Sequence, residues 1–130
     1  MREILFRGKA ACGAWVQGDL INRKIWYSEF KVIRAEDSGF DNYIEYEVIT
    51  ETIGQYTGLT DKNGKKIFEG DIVEFDGELC YAVYYIIFVD GCFRIAQNGK
   101  YSYTLHNLYS SLEVIGNIHD HPELLKGGEE

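Results

Sequence analysis

Several things are scarce in this 130-residue chain. It has three cysteines, Cys12, Cys80 and Cys92, an odd number with no C-x-x-C spacing. That excludes a disulfide framework and fits reduced thiols of a cytoplasmic protein. Its most apolar run, Tyr81 to Val89, falls far short of the roughly 20 residues a membrane helix needs. The opening "MREILFRGKAACGAW" lacks the apolar stretch of about 7–15 residues and the cleavage site of a secretion signal. Positive charge is scarce too: 13 Lys and Arg stand against 21 Asp and Glu, for a net charge of −8. An acidic surface repels phosphate backbones, so general nucleic-acid binding is disfavoured. There is one proline and one methionine.

Aromatic residues are plentiful, at 15% with ten tyrosines, which leans the chain toward strands. Strand-forming stretches are read at Glu3–Arg7, Ala14–Ile21 with a bulge at Gly18, Ile25–Ile33 with a break near Ser28 and Glu29, and Tyr43–Thr50. A loop is expected over 36–42. Asp61–Lys65, with Asn63 and Gly64, is a tight turn. After it come strands at Asp71–Phe75, Leu79–Val89, Cys92–Ala96, Tyr101–His106 and Glu113–Ile118, separated by turns at 76–78, 90–91 and 97–100 and a 3₁₀ or irregular piece at 107–112. Only "HDHPELLK" reads as helical, with Pro122 opening it. The expected fold is mostly β. An irregular N-terminal β lobe, residues 1–65, packs on a C-terminal SH3-like five-stranded barrel, residues 66–125, closed by a short helix. Residues 126–130 form a frayed tail.

Four stretches carry a family resemblance: "MREILFRGK" at the start, "GAWVQGDLI" at 13–21, "IGQYTGLTDKNGKKIFEGDIVEF" at 53–75 and "VIGNIHDHPELL" at 114–125. Together they resemble the YopX family of small bacteriophage and prophage proteins, over Met1 to Leu125. The resemblance implies a mostly β protein with an SH3-like barrel in its C-terminal part and a tendency to self-associate. It implies no assigned activity. The chain departs from the family pattern at Thr50, where a proline is common, and in the two histidines of "HDHPELL".

Chemical motifs are sparse. "GLTDKNGKK" is not a phosphate loop: Gly58 and Gly64 are six apart instead of five, Lys66 is followed by Ile67, and no helix follows. There is no G-x-S-x-G elbow. His119 and His121 would need further ligands to hold a metal. The acidic series Glu69, Asp71, Glu74, Asp76 and Glu78 reads as part of a solvated strand face. No catalytic residue, cofactor site or metal site is assigned. The expectation is a non-catalytic phage or prophage accessory protein of the host cytoplasm. It is a homo-oligomer that binds a host or phage protein, with no membrane contact. Its candidate interaction surface is Lys62, Lys65 and Lys66 at the turn, and Tyr81, Tyr84 and Tyr85 in the aromatic strand. One alternative is a nucleic-acid-associated module using the Asp61–Lys66 hairpin and the barrel face. Another is a small metal-binding protein or enzyme carried by His119, His121 or a cysteine.

Overall fold

The computed structural model describes residues 4–37, 42–76, 81–97 and 100–126. The loop expected at 36–42, the turns at 76–78 and 97–100, Cys80 and the tail after Lys126 lie wholly or partly outside them. The fold is mostly β, with two antiparallel sheets and one short helix. The chain divides into two compact units, Met1–Tyr56 and Thr57–Glu130.

In the first unit, β1 (Phe6–Lys9), β2 (Trp15–Ile25), β3 (Ser28–Asp37), β4 (Asn42–Glu47) and the start of β5 (Gly54–Thr60) line up in the order β4-β3-β2-β1-β5. The long β2 serves two neighbours. Its residues 15–18 pair with β1 and its residues 19–25 with β3. Gly18 sits where the two pairings meet, and neither ladder has an internal register shift of the kind that marks a bulge. The glycine has a different cause: a Cβ at this position would lie 2.1 Å from the carbonyl oxygen of Arg34 on β3. Close backbone approach is a standard reason for glycine within a strand. Val32, Ile33 and Val48 are buried in this unit. A 3₁₀ turn over Thr50–Thr52 is tied down by Thr52, whose hydroxyl accepts the Lys9 N–H at 2.9 Å and donates to the Ile49 carbonyl at 2.6 Å.

The stretch Ile25–Ile33 is not one strand. Ile25 pairs with Ser28, so Trp26 and Tyr27 form a two-residue turn, with Trp26 at φ 57°. Left-handed backbone costs a non-glycine residue about 1–2 kcal/mol, and aromatic residues favour strands. The ladder between β2 and β3 imposes the turn against local preference.

In the second unit, the rest of β5 pairs with β6 (Lys66–Phe68). The other sheet holds β7 (Asp71–Asp76), β8 (Tyr81–Val89), β9 (Cys92–Gln97), β10 (Lys100–Thr104) and β11 (Leu112–Asn117), in the order β10-β9-β8-β7-β11. Alternation aims Ile86 of β8, Phe93 and Ile95 of β9 and Val73 of β7 into one core, which Ile67, Leu105 and Leu112 complete. Asp90 and Gly91, both at positive φ, make the two-residue turn between β8 and β9. Two 3₁₀ turns, Leu105–Asn107 and Tyr109–Ser111, connect β10 to β11. Helix α1 (Glu123–Lys126) is a single turn.

Candidate functional site

The Asp61–Lys65 turn is organised by a buried carboxylate. Asp61 is only 5% exposed. Its Oδ1 accepts the N–H groups of Asn63 at 2.8 Å and Lys65 at 2.9 Å, and its Oδ2 accepts the N–H of Val114 at 2.9 Å. The Lys62 N–H donates to the Leu112 carbonyl at 2.9 Å, so the turn is clamped to β11 from both sides. Burial pushes the Asp61 carboxyl upward. The bonds from Val114, Lys65 and Asn63 outweigh burial and hold it below its ordinary value. A second aspartate works the same way six residues after the turn: Asp71, 1% exposed, accepts the Phe68 N–H at 2.7 Å around Gly70, whose φ is 91°. The left-handed backbone there is one glycine tolerates and other residues resist. Both carboxylates bind backbone N–H groups, which is a structural job.

Lys62, Lys65 and Lys66 are all exposed around this turn. The Lys62 ammonium lies 3.8 Å from Glu113, a surface pair worth little. The tyrosine strand is elsewhere in the same unit. β8 lies between β7 and β9 in the sheet order: its residues 81–85 pair with β7 and its residues 85–89 with β9. The apolar run is therefore an inner strand of the sheet. Tyr84 and Tyr85 are half-buried, Tyr84 against the core, and Tyr81 opens the strand opposite Asp76. Adjacent residues on a strand face opposite ways, so Tyr84 and Tyr85 do not share a surface.

The C-terminal histidines belong to a capping turn. The Asn117 Oδ1 accepts the N–H groups of His119 at 3.0 Å and Asp120 at 2.9 Å. The His121 Nδ1 accepts the Asn117 N–H at 3.3 Å, and Gly116 leaves room for its ring. Among the described residues no group of three His, Cys, Asp or Glu could hold a metal ion.

Among the described residues, the most exposed large apolar side chains lie away from every candidate residue. Trp26 is 88% and Tyr27 100% exposed at the tip of the β2–β3 hairpin, with Ile25 beside them. Down the hairpin a cleft of about 240 Å³ is lined in part by Arg23, Lys24, Glu29 and Lys31. Glu45 on β4 accepts hydrogen bonds from Arg23 and from Arg34, the latter at 3.0 Å, and Arg34 also lies over the Tyr43 ring at 5.9 Å. Those bonds lower the Glu45 carboxyl to about 2. A signal for the hairpin was present. The β-forming run Trp15–Asp37 is far longer than an ordinary strand of about 3–10 residues, and its midpoint is Trp26.

The YopX protein family model matches residues 5–126. The chain belongs to the YopX family. Among solved structures, the crystal structure of protein EF1440 from Enterococcus faecalis is similar, with 26% identity, 96% of this chain and 99% of that chain covered, and a TM-score of 0.57. No curated protein matches this YopX chain. The matched region includes Asp61, Gly70 and Asp71, so the stretch that marks the YopX resemblance is built from backbone-capping residues. Among the described residues no helix is long and apolar enough to cross a membrane.

Proposed function

We propose that this chain is a phage- or prophage-encoded accessory protein of the host cytoplasm. It acts by binding instead of catalysis, as a homo-oligomer that engages a host or phage protein. The observation that carries this reading is the edge of the first unit's sheet. β4 is the outermost strand, and it exposes Tyr43 (63%) and Ile44 (41%) beside a backbone edge that no strand pairs among the described residues. A soluble protein protects such an edge or uses it, and symmetric strand addition is a common use. We read the second unit as an SH3-like barrel. The last strand of its five-stranded sheet, β11, returns beside that sheet's first, β7, after a 3₁₀ connection, and that order supports the reading. Tyr84 and Tyr85, half-buried on β8, would add side-chain surface to an interface.

Light scattering tests the oligomer at roughly 50 μM protein, where an interface of micromolar affinity is populated. A mass of two or more chains is expected. Ile44→Lys places a charge on the edge and should lower that mass. A strictly monomeric wild-type protein would end the homo-oligomer reading. The alternative, a nucleic-acid contact at the Asp61–Lys66 hairpin and the barrel face, draws support from the exposure of Lys62, Lys65 and Lys66. It is the weaker reading. Glu113 stands beside Lys62, and residues 57–130 carry twelve Asp and Glu against six Lys and Arg.

A further inference from the structure

The β2–β3 hairpin carries two features that its folding does not need. The first is its tip. Two-residue turns ordinarily use Gly, Asn or Asp, because these tolerate positive φ. Here Trp26 takes φ 57° and remains 88% exposed, and Tyr27 beside it is fully exposed. Neither gains burial from the position. The second feature is the cleft below the tip, lined by the cations Arg23, Lys24 and Lys31 and one carboxylate, Glu29, with Asn22 and Thr50 as polar neighbours. In a chain of net charge −8, residues 22–31 hold three cations against one anion. Lys24 lies two residues from Trp26, and Lys31 four from Tyr27, about 7 and 13 Å along the strands at ~3.3 Å per residue.

Flat exposed rings next to a cationic cleft are what a single-stranded nucleic acid requires: bases stack on the rings and phosphates lie along the cations. A protein partner fits less well. A stable protein interface takes about 800 Å² from each side, with few charges at its centre. A two-residue tip above a charged cleft offers neither. We propose that the β2–β3 hairpin is a single-strand nucleic-acid contact, with bases on Trp26 and Tyr27 and phosphates at Lys24 and Lys31.

The contact is small. Arg23 is already engaged by Glu45, and Glu29 stands opposite Lys24 in the ladder. Lys31 donates to the Asn22 Oδ1, a neutral acceptor that leaves its charge available. One phosphate is therefore neutralised at Lys31, and a second where a phosphate displaces Glu29 from Lys24. The logarithm of the binding constant should fall with the logarithm of salt concentration at a slope of about −0.7 to −1.4, from about −0.7 per phosphate.

The test is a titration of the full chain with an oligodeoxythymidylate, starting at about 50 mM salt, a range where phosphate contacts are still strong. Trp15 and Trp26 are the only tryptophans, so Trp15→Phe leaves Trp26 as the sole reporter. Saturable quenching of Trp26 with that salt slope is expected. Trp26→Ala with Tyr27→Ala, followed by fluorescence anisotropy of a labelled oligonucleotide, should weaken binding by at least about 5-fold, the lower end for one stacked base. Lys24→Glu with Lys31→Glu should weaken it further, and circular dichroism checks that these surface variants remain folded. No saturable change at low salt would overturn the proposal. So would unchanged affinity in the Trp26/Tyr27 variant. Equal affinity for polyglutamate would assign the hairpin to an acidic protein instead. None of these outcomes bears on the light-scattering mass, so the oligomer reading stands or falls separately.

Discussion

Replacing Asp61 with alanine removes one side chain and three hydrogen bonds. The carboxylate is the acceptor for the N–H groups of Asn63, Lys65 and Val114. A hydrogen bond to a charged partner contributes about 1.5–3 kcal/mol. Asn63 and Lys65 are exposed, so water can replace the carboxylate there at little cost. The Val114 N–H faces the buried carboxylate and has less access to water. The expected loss is therefore about 2–4 kcal/mol, a large share of the 5–15 kcal/mol that holds a typical domain folded. Asp61→Asn should cost less, about 1–2 kcal/mol. Its amide oxygen can still serve Asn63 and Lys65, but its NH₂ then points at the Val114 N–H, donor against donor. Stability should rank wild type above Asp61→Asn above Asp61→Ala. The pH dependence has a definite sign. The Asp61 carboxyl is held below its ordinary value, so its contribution is complete above the unfolded value near 4 and is lost as pH falls through the folded one. The gap between wild type and Asp61→Ala should be widest near neutrality and close in acid. Urea unfolding followed by far-ultraviolet circular dichroism measures it. Tryptophan fluorescence is the wrong probe, because Trp15 and Trp26 both lie in the first unit and Asp61 in the second. A midpoint drop of at least ~1 M urea is expected for Asp61→Ala. An unchanged midpoint, or a gap that widens in acid, would refute the capping role.

Three further outcomes follow from the packing. Gly18→Ala would set a methyl group 2.1 Å from the Arg34 carbonyl oxygen, and β2 and β3 must separate to admit it; a thermal scan should show a loss of at least 1–3 kcal/mol, the usual overpacking range. Ile67→Ala empties a fully buried position in the second unit's core and should cost about 2–5 kcal/mol by urea titration. Glu45 should titrate near 2 by NMR, and any stability it adds is present above about 4.3 and fades as pH falls toward 2; a midpoint near 4 would show that its bonds with Arg23 and Arg34 do not persist in solution. Because Glu45 is solvent-exposed, Glu45→Gln should leave the melting temperature nearly unchanged.

Much of the fold was legible because turn chemistry is local. Asn63-Gly64 and Asp90-Gly91 announce tight turns through residues that tolerate positive φ, and both turns are present. The 3₁₀ turn Tyr109–Ser111 and the short helix after Pro122 were legible too, whereas the 3₁₀ turn Leu105–Asn107 replaces the end of the strand expected through His106. The Trp26–Tyr27 turn was not. Its residues favour strands, and only the pairing of β2 with β3 bends the chain there. Local preference marks an exposed turn only when the turn residues are chosen for the turn.

The amino-acid sequence by itself determined the family, the β character and the places where the backbone reverses through glycine or asparagine. Side-chain shape and φ preference act within a few residues, so these are readable in one dimension. Tertiary structure alone decided what the long-range partners do. It made Asp61 a clamp on β11, fifty-three residues away, through the Val114 N–H. It placed the apolar β8 in the middle of a sheet, between β7 and β9. It made Gly18 a point of close approach to Arg34, where the composition suggested a bulge. It also left Trp26 and Tyr27 at a tip, where large aromatic side chains meet water. Burial and pairing depend on which strand lies alongside, and no single stretch of sequence specifies its neighbour.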